Sequence, residues 1–181
     1  MEHIFDQDQF GENWFTYPNL YKSIVERFPS GSKFVEVGCW KGKSSAYMTV
    51  EIINSRKKID FCCVDTWEGS KEHQEEFDLK NLYDVFLQNM LPVKDFYTPM
   101  RMTSIEASKN FEDKSLDFVF IDASHEYEDV KDDIKHWLPK IKSGGVFAGH
   151  DYAPSFGVYR AVNEMLPGVF ETEQCWVYNI P

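Results

Sequence analysis

Long apolar runs are missing from this 181-residue chain. No stretch approaches the roughly 20 residues that cross a bilayer, so a membrane partner is not expected. The opening residues, Met1-Glu-His-Ile-Phe-Asp6, lack the basic-then-apolar order of a secretory signal, and a cytoplasmic location is expected. Cationic side chains are scarce: 19 Lys and Arg against 30 Asp and Glu give a net charge of −11. No basic cluster reverses that balance locally, which argues against a nucleic-acid partner, since a phosphate backbone needs a basic face. The four cysteines, Cys39, Cys62, Cys63 and Cys175, fit no metal spacing and read as buried thiols in a reducing compartment. Repeats, low-complexity tracts and linkers are absent too. With 43% hydrophobic and 16% aromatic residues, the chain reads as one packed domain over residues 1–181.

Apolar runs and helical patterns alternate along the sequence. Leu20, Ile24, Val25 and Phe28 have helical spacing, and Pro29-Ser-Gly-Ser32 ends that helix. Strands are expected at Phe34–Gly38, Ile59–Val64, Phe96–Met102, Asp117–Ile121, Val146–Gly149, Val169–Thr172 and Cys175–Ile180. Between them fall helices at Ser44–Asn54, Glu72–Met90, Ile105–Asn110, Tyr127–Ile141 and Gly157–Leu166. Ser143-Gly-Gly145 reads as the turn into the fifth strand. Helices between successive strands require right-handed crossovers and a parallel sheet, whereas the last two strands are too close in sequence for one and must be antiparallel. The predicted class is α/β: a Rossmann-like, mostly parallel seven-stranded sheet with helices on both faces and a C-terminal antiparallel hairpin.

The glycines of Glu36-Val-Gly-Cys-Trp-Lys-Gly-Lys-Ser44 mark a strand-to-helix turn, where the backbone can approach a ligand and a helix start offers unpaired N–H groups. Two readings compete. Gly38-x-x-x-Gly42-Lys43-Ser44 is like a phosphate-binding P-loop with Asp122 as the magnesium acid, but that loop needs four residues between its glycines. The alternative is the acid-x-Gly-x-x-x-Gly turn that holds S-adenosylmethionine (SAM), with Glu36 as its acid. A dinucleotide fold would use Gly-x-Gly-x-x-Gly, which is not present.

In open α/β sheets ligands bind beyond the carboxyl ends of the strands, and this chain places polar residues at each of those ends. Asp65 closes the second strand, where a carboxylate about 20 residues past a glycine turn accepts ribose hydroxyls. Trp40 and Trp67 are placed to roof the pocket or to join the core. Asp122 and His125 follow the fourth strand; either could remove a proton from an acceptor, although both could instead cap local structure. Asp122, His150 and Asp151 form a candidate site for Mg2+ or another divalent cation. The stripe Leu79, Phe86 and Met90 is core or a homodimer contact. The acidic run Glu72-His-Gln-Glu-Glu76 reads as a solvated helix start, and neither His3 nor His73 is assigned a role.

Together, Phe34-Val-Glu-Val-Gly-Cys-Trp-Lys-Gly-Lys-Ser-Ser45, Val64-Asp-Thr-Trp-Glu-Gly69, Phe118-Val-Phe-Ile-Asp-Ala-Ser-His-Glu-Tyr127 and Leu138-Pro-Lys-Ile-Lys-Ser-Gly-Gly-Val-Phe-Ala-Gly-His-Asp-Tyr152 resemble the class I SAM-dependent methyltransferases. The chain is similar to the branch with macrolide-sugar and aminocoumarin-sugar O-methyltransferases and cephalosporin-hydroxylase-like proteins. The resemblance implies cofactor contacts at Glu36, Gly38, Gly42 and Asp65, with Trp40, Ser44, Trp67 and Asp122 beside them and adenine contacts near Ser104. It implies metal ligands at Asp122, His150 and Asp151, with Ser124 and His150 standing where metal-using members often carry acids. The expected reaction is O-methylation of a small-molecule or glycan-like acceptor. A non-catalytic SAM-binding module and a P-loop-like nucleotide enzyme are the alternatives. The N-terminal helical segment, residues 1–30, is expected to cover the cofactor site. A lid is expected from Trp14–Tyr17, from Trp67–His73 or from a neighbouring subunit.

Overall fold

A computed structural model of the chain describes residues 1–69 and 79–181. The acidic run at 72–76, His73 and part of the expected 67–73 lid lie outside the described residues. The strands are β1 (Lys33–Val37), β2 (Asp60–Asp65), β3 (Thr98–Arg101), β4 (Leu116–Ile121), β5 (Ile141–Gly149), β6 (Phe170–Thr172) and β7 (Cys175–Asn179). They form one sheet in the order β3-β2-β1-β4-β5-β7-β6. Neighbours from β3 to β5 pair in parallel, while β7 pairs antiparallel with both β5 and β6. The expected parallel sheet closed by an antiparallel hairpin is therefore what the chain builds.

The helices are α1 (Pro18–Arg27), α2 (Lys43–Ser55), α3 (Leu82–Asn89), α4 (Ser104–Ser108), α5 (Tyr127–Trp137) and α6 (Gly157–Met165). Pro18 opens α1, where its fixed φ suits a first turn and its missing N–H costs nothing. At the other end Lys57 donates to the carbonyls of Val25, Glu26 and Phe28 at 2.6–2.9 Å, satisfying acceptors that the helix itself leaves open. Acids in the first turn of α5 and Lys135 and His136 in its last turn complement the helix dipole.

Several boundaries differ from expectation. Ser143–Gly145 lies inside β5, not before it; Gly144 at φ 78° absorbs the irregularity, and the pairing with β4 shifts register between Leu116 and Phe118. The third strand is shorter than expected, because Leu91–Phe96 coils into a 3-10 helix before it. Helix α5 stops at Trp137, where Pro139 in the following 3-10 turn cannot extend it.

Period-two alternation sends the two faces of the sheet into different cores. Phe34, Cys63, Phe118 and Phe120 pack under α1, α2 and α3. Val35, Val37, Val119, Ile121 and Phe147 pack under α4, α5 and α6. Phe86 and Met90 are fully buried and Leu79 packs against the first core, so the stripe they form is core. Cys62 and Cys63 face opposite cores, and all four cysteines are free thiols.

The alternation also buries an acid. Glu36 shares the face of Phe34 and is fully buried, where Tyr21 of α1 donates to it at 2.7 Å and Ser45 of α2 donates to its other oxygen. Burial raises its pKa to about 7 despite these two donors. The folded protein thus holds a proton here that the unfolded chain releases near its ordinary value of 4.5. Stability contributed by this group falls as pH rises from about 4.5 to about 7, by about 3 kcal/mol in all. Glu36→Gln is expected to flatten that slope, measured as the urea midpoint between pH 5 and 7.5. A wild-type slope retained in the variant would place the titration elsewhere.

Candidate functional site

Strand order reverses between β1 and β4, and the site lies at their carboxyl ends. Ladder-like bonds continue past the strands and fix the residues that follow. Gly38 N–H donates to Val64 O at 2.9 Å, Asp122 N–H to Val37 O at 2.7 Å, and His150 N–H to Ile121 O at 3.0 Å. Gly38, at φ 89°, presses against the neighbouring turn: a Cβ there would stand 1.8 Å from Asp122 O. Only glycine fits there, and its turn lines a cavity of about 590 Å3, within the range of small-molecule sites.

That cavity gathers Gly38, Trp40, Ser44, Asp122, His125, His150 and Asp151 from the expected residues. His125 Nε2 lies 2.8 Å from Asp151 Oδ2. His150 Nδ1 lies 3.4 Å from the same oxygen and 3.7 Å from Asp122 Oδ1. Donor atoms of Asp122, His125 and Asp151 all fall within 4.8 Å of one another. Burial opposes a charged imidazole at His150, but the Asp122 and Asp151 carboxylates beside it outweigh that and raise its pKa to about 10. Burial likewise opposes ionisation of Asp151, yet His125 and His150 hold its carboxyl well below the usual range.

Other expected residues lie outside the lining. Glu36 is in the core beneath it. Gly42, at φ 91°, caps the start of α2, and its missing Cβ faces Met90 and Phe86. Asp65 turns its carboxylate on the loops: Oδ2 accepts from Cys39 and Trp40 N–H at 2.8 and 2.9 Å, and Oδ1 from Trp67 N–H at 2.7 Å. Trp67 is core, stacked near Tyr83 and Phe86, with its indole N–H donating to Trp40 O at 2.9 Å. Ser104 donates to Asp133 and accepts from the Trp137 indole at 2.8 Å. His3 stacks on Tyr47 and contacts Glu51, a structural position.

The N-terminal segment forms the opposite wall. Glu12, Trp14, Thr16 and Tyr17 line the cavity, and Asn89 ties this segment to the glycine turn by donating to Gln9 O and Lys41 O. Gln174 and Phe156 complete the rim and were not among the expected residues. Their signal is weak in sequence: Gln174 sits with Glu173 in the β6–β7 turn at positive φ (63° and 53°), a conformation usually marked by Asn or Gly.

The lining offers backbone, hydroxyl and charged groups to a small polar ligand beside the Gly38 turn. Residues 35–152, more than half of the chain, match the family described as "Methyltransferase domain". A Sinorhizobium fredii protein designated y4gI, described as uncharacterized, is 31% identical over 119 residues, covering 66% of this chain. The chain spans only 13% of that relative's length. Among solved structures, the O-methyltransferase NovP superposes with TM-score 0.69 at 16% identity, covering 91% of this chain and 79% of NovP. A SAM-dependent O-methyltransferase of Thermotoga maritima superposes with TM-score 0.63 at 16% identity, covering 94% of this chain and 60% of its own. Among the described residues no helix is long and apolar enough to cross a membrane. The chain belongs to the methyltransferase domain family and has a Rossmann-like methyltransferase fold.

Proposed function

We propose that this chain is a SAM-dependent methyltransferase that transfers the cofactor's methyl group to an oxygen of a small hydroxyl-bearing or glycan-like acceptor. The observation that carries the reading is the His125–Asp151 pair at 2.8 Å on the cavity wall beside the Gly38 turn. A neutral imidazole there can take the hydroxyl proton, and Asp151 orients the ring and stabilises the imidazolium as it forms. Asp122, whose carboxylate lies within 4.8 Å of both, is the second candidate base. Methyl transfer itself asks mainly for the nucleophile to be held in line with the sulfonium methyl, which proximity and orientation accelerate. Bound SAM supplies an electrophilic methyl group. Gly38, Trp40 and Ser44 line the place where it would lie, Glu36, Gly42 and Trp67 would shape the turn from behind, and Ser104 would border the adenine.

Asp65 must choose between partners. Three of its roughly four acceptor sites are taken by the Cys39, Trp40 and Trp67 N–H groups, so to accept both ribose hydroxyls it would release at least one of them, and cofactor binding on this reading reshapes the turn. Trp14, Trp40 and Phe156 give the mouth aromatic faces, which suit a cation or the apolar face of a sugar. A divalent cation, if used to hold an acceptor diol, would take Asp122 and Asp151 with His125 or His150. On this reading residues 1–30 belong with the catalytic unit as one domain and cover the cofactor.

The test is methyl transfer from isotopically labelled SAM to panels of sugars, phenols, amines and peptides, with and without magnesium, read by mass spectrometry. Label in an ether of a hydroxyl-bearing acceptor is the expected result. Label confined to amines would overturn O-transfer. SAM binding without product in any panel would favour a non-catalytic SAM-binding module.

A further inference from the structure

Among the described residues Tyr17 supplies the one tyrosine hydroxyl of the cavity lining, and it donates to a single partner. The ring is buried among Phe15, Tyr21, Phe120 and His150, with centroids 4.6–5.0 Å away. Its hydroxyl donates to Asp122 Oδ2 at 2.7 Å. The other oxygen, Oδ1, stays 3.7 Å from His150 Nδ1, beyond hydrogen-bond range. His150 is restrained in turn, because its Nε2 meets Thr16 Oγ1 at 2.9 Å. Two consecutive residues of the N-terminal segment thus each bond one member of the Asp122–His150 ion pair.

The segment is itself anchored from outside the cavity. The Glu173 carboxylate accepts from Leu20 N–H at 2.9 Å and from the Asn19 side-chain amide at 2.7 Å, capping α1 directly after Tyr17. Thr16 Oγ1 also reaches Glu173 O at 3.3 Å. Glu173 holds this post at φ 53° and Gln174 follows at φ 63°, a conformation that carries a strain cost for a side-chain-bearing residue. An Asn-Gly turn would avoid that cost, but it would lose the cap.

We infer that Tyr17 is a positioning residue: it holds the Asp122 carboxylate toward the cofactor's reacting centre and away from His150, and Glu173 holds Tyr17 in place. This rests on the proposal that the cofactor lies on the Gly38 turn, against which Asp122 packs. A carboxylate so held favours positive charge at the sulfonium position. Released from Tyr17, it can turn to His150, and that preference falls.

No acceptor is needed to test this. S-adenosylhomocysteine is neutral at sulfur, whereas sinefungin carries an ammonium group where SAM carries its methyl. Both are titrated calorimetrically into the full chain and into Tyr17→Phe, Asp122→Asn, the double variant and Glu173→Gln. Tyr17→Phe keeps the buried ring, and Glu173→Gln lies outside the cavity, so one of them stays informative if the other misfolds. The expected result is a preference for sinefungin that drops about fivefold in Tyr17→Phe and at least as much in Asp122→Asn, as for losing the geometry of a charge-assisted contact. Affinity for S-adenosylhomocysteine should stay within about twofold of wild type in Tyr17→Phe, and the double variant should fall no further than Asp122→Asn, because Tyr17 acts through that acid. Glu173→Gln should move the preference the same way by a smaller factor.

An unchanged or raised sinefungin preference in both Tyr17→Phe and Glu173→Gln overturns the inference while leaving the cofactor assignment intact. Additive losses in the double variant overturn it as well, since Tyr17 would then act independently. If neither compound binds wild-type protein, the cofactor site itself is misplaced and the inference falls with it.

Discussion

Gly38→Ala is expected to destabilise the protein by about 2–6 kcal/mol and to abolish S-adenosylhomocysteine binding in whatever folded fraction remains. Two costs add. A side chain at φ 89° is strained by of order 1–3 kcal/mol. The added Cβ would stand 1.8 Å from Asp122 O and 2.4 Å from its carbonyl carbon. Those are backbone atoms, fixed by the Asp122 N–H bond to Val37 O, so no rotamer change relieves the contact and β1 and β4 must part. Overpacking of this kind typically costs another 1–3 kcal/mol, occasionally more. Gly168→Ala is the control, because it shares a positive φ of 93° and meets nothing within 4 Å; it should cost only the conformational strain. Urea melts of both variants beside a ligand titration check the difference. Equal losses in the two would mean that the β1–β4 contact does not matter.

The second large effect is at the His125–Asp151 pair. His125→Ala is expected to lower kcat/KM for any accepted hydroxyl substrate by about 10²- to 10⁴-fold, the usual contribution of a general base, with S-adenosylhomocysteine affinity little changed. Asp151→Asn should lose part of that factor, because an amide can orient the ring but cannot stabilise its positive charge. If His125→Ala and Asp122→Asn both keep full activity, neither residue removes the proton and the proposed chemistry is wrong.

Much of the fold was legible because its signals are local. Continuous apolar runs such as Phe118–Ile121 mark strands buried on both faces, and the short spacing of β6 and β7 forces their antiparallel pairing. The Glu36-to-Ser44 turn and the Asp122 and His150-Asp151 strand ends were legible because strand-terminal polar residues have one place to go in an open α/β sheet. The rest depends on long-range contacts. Asp65 could be placed at its strand end from sequence, but its hold on the Cys39 and Trp40 amides follows from how the loops fold back. Trp67 was open between pocket and core until α3 supplied Tyr83 and Phe86 around it. The Ser143–Gly145 segment looked like a turn because glycine marks turns and strand irregularities alike. Gln174 and Glu173 carry no local signal at all, since neither residue type advertises a left-handed conformation.

The account turns on one cavity, and the most direct measurement is calorimetric titration of S-adenosylhomocysteine into wild-type protein and the Gly38→Ala variant, with ATP as comparison ligand. The prediction is micromolar, one-to-one binding of S-adenosylhomocysteine to wild type, none to folded Gly38→Ala, and none of ATP to either. Binding that survives in Gly38→Ala, or binding of ATP in place of S-adenosylhomocysteine, would contradict the placement of the cofactor on this turn.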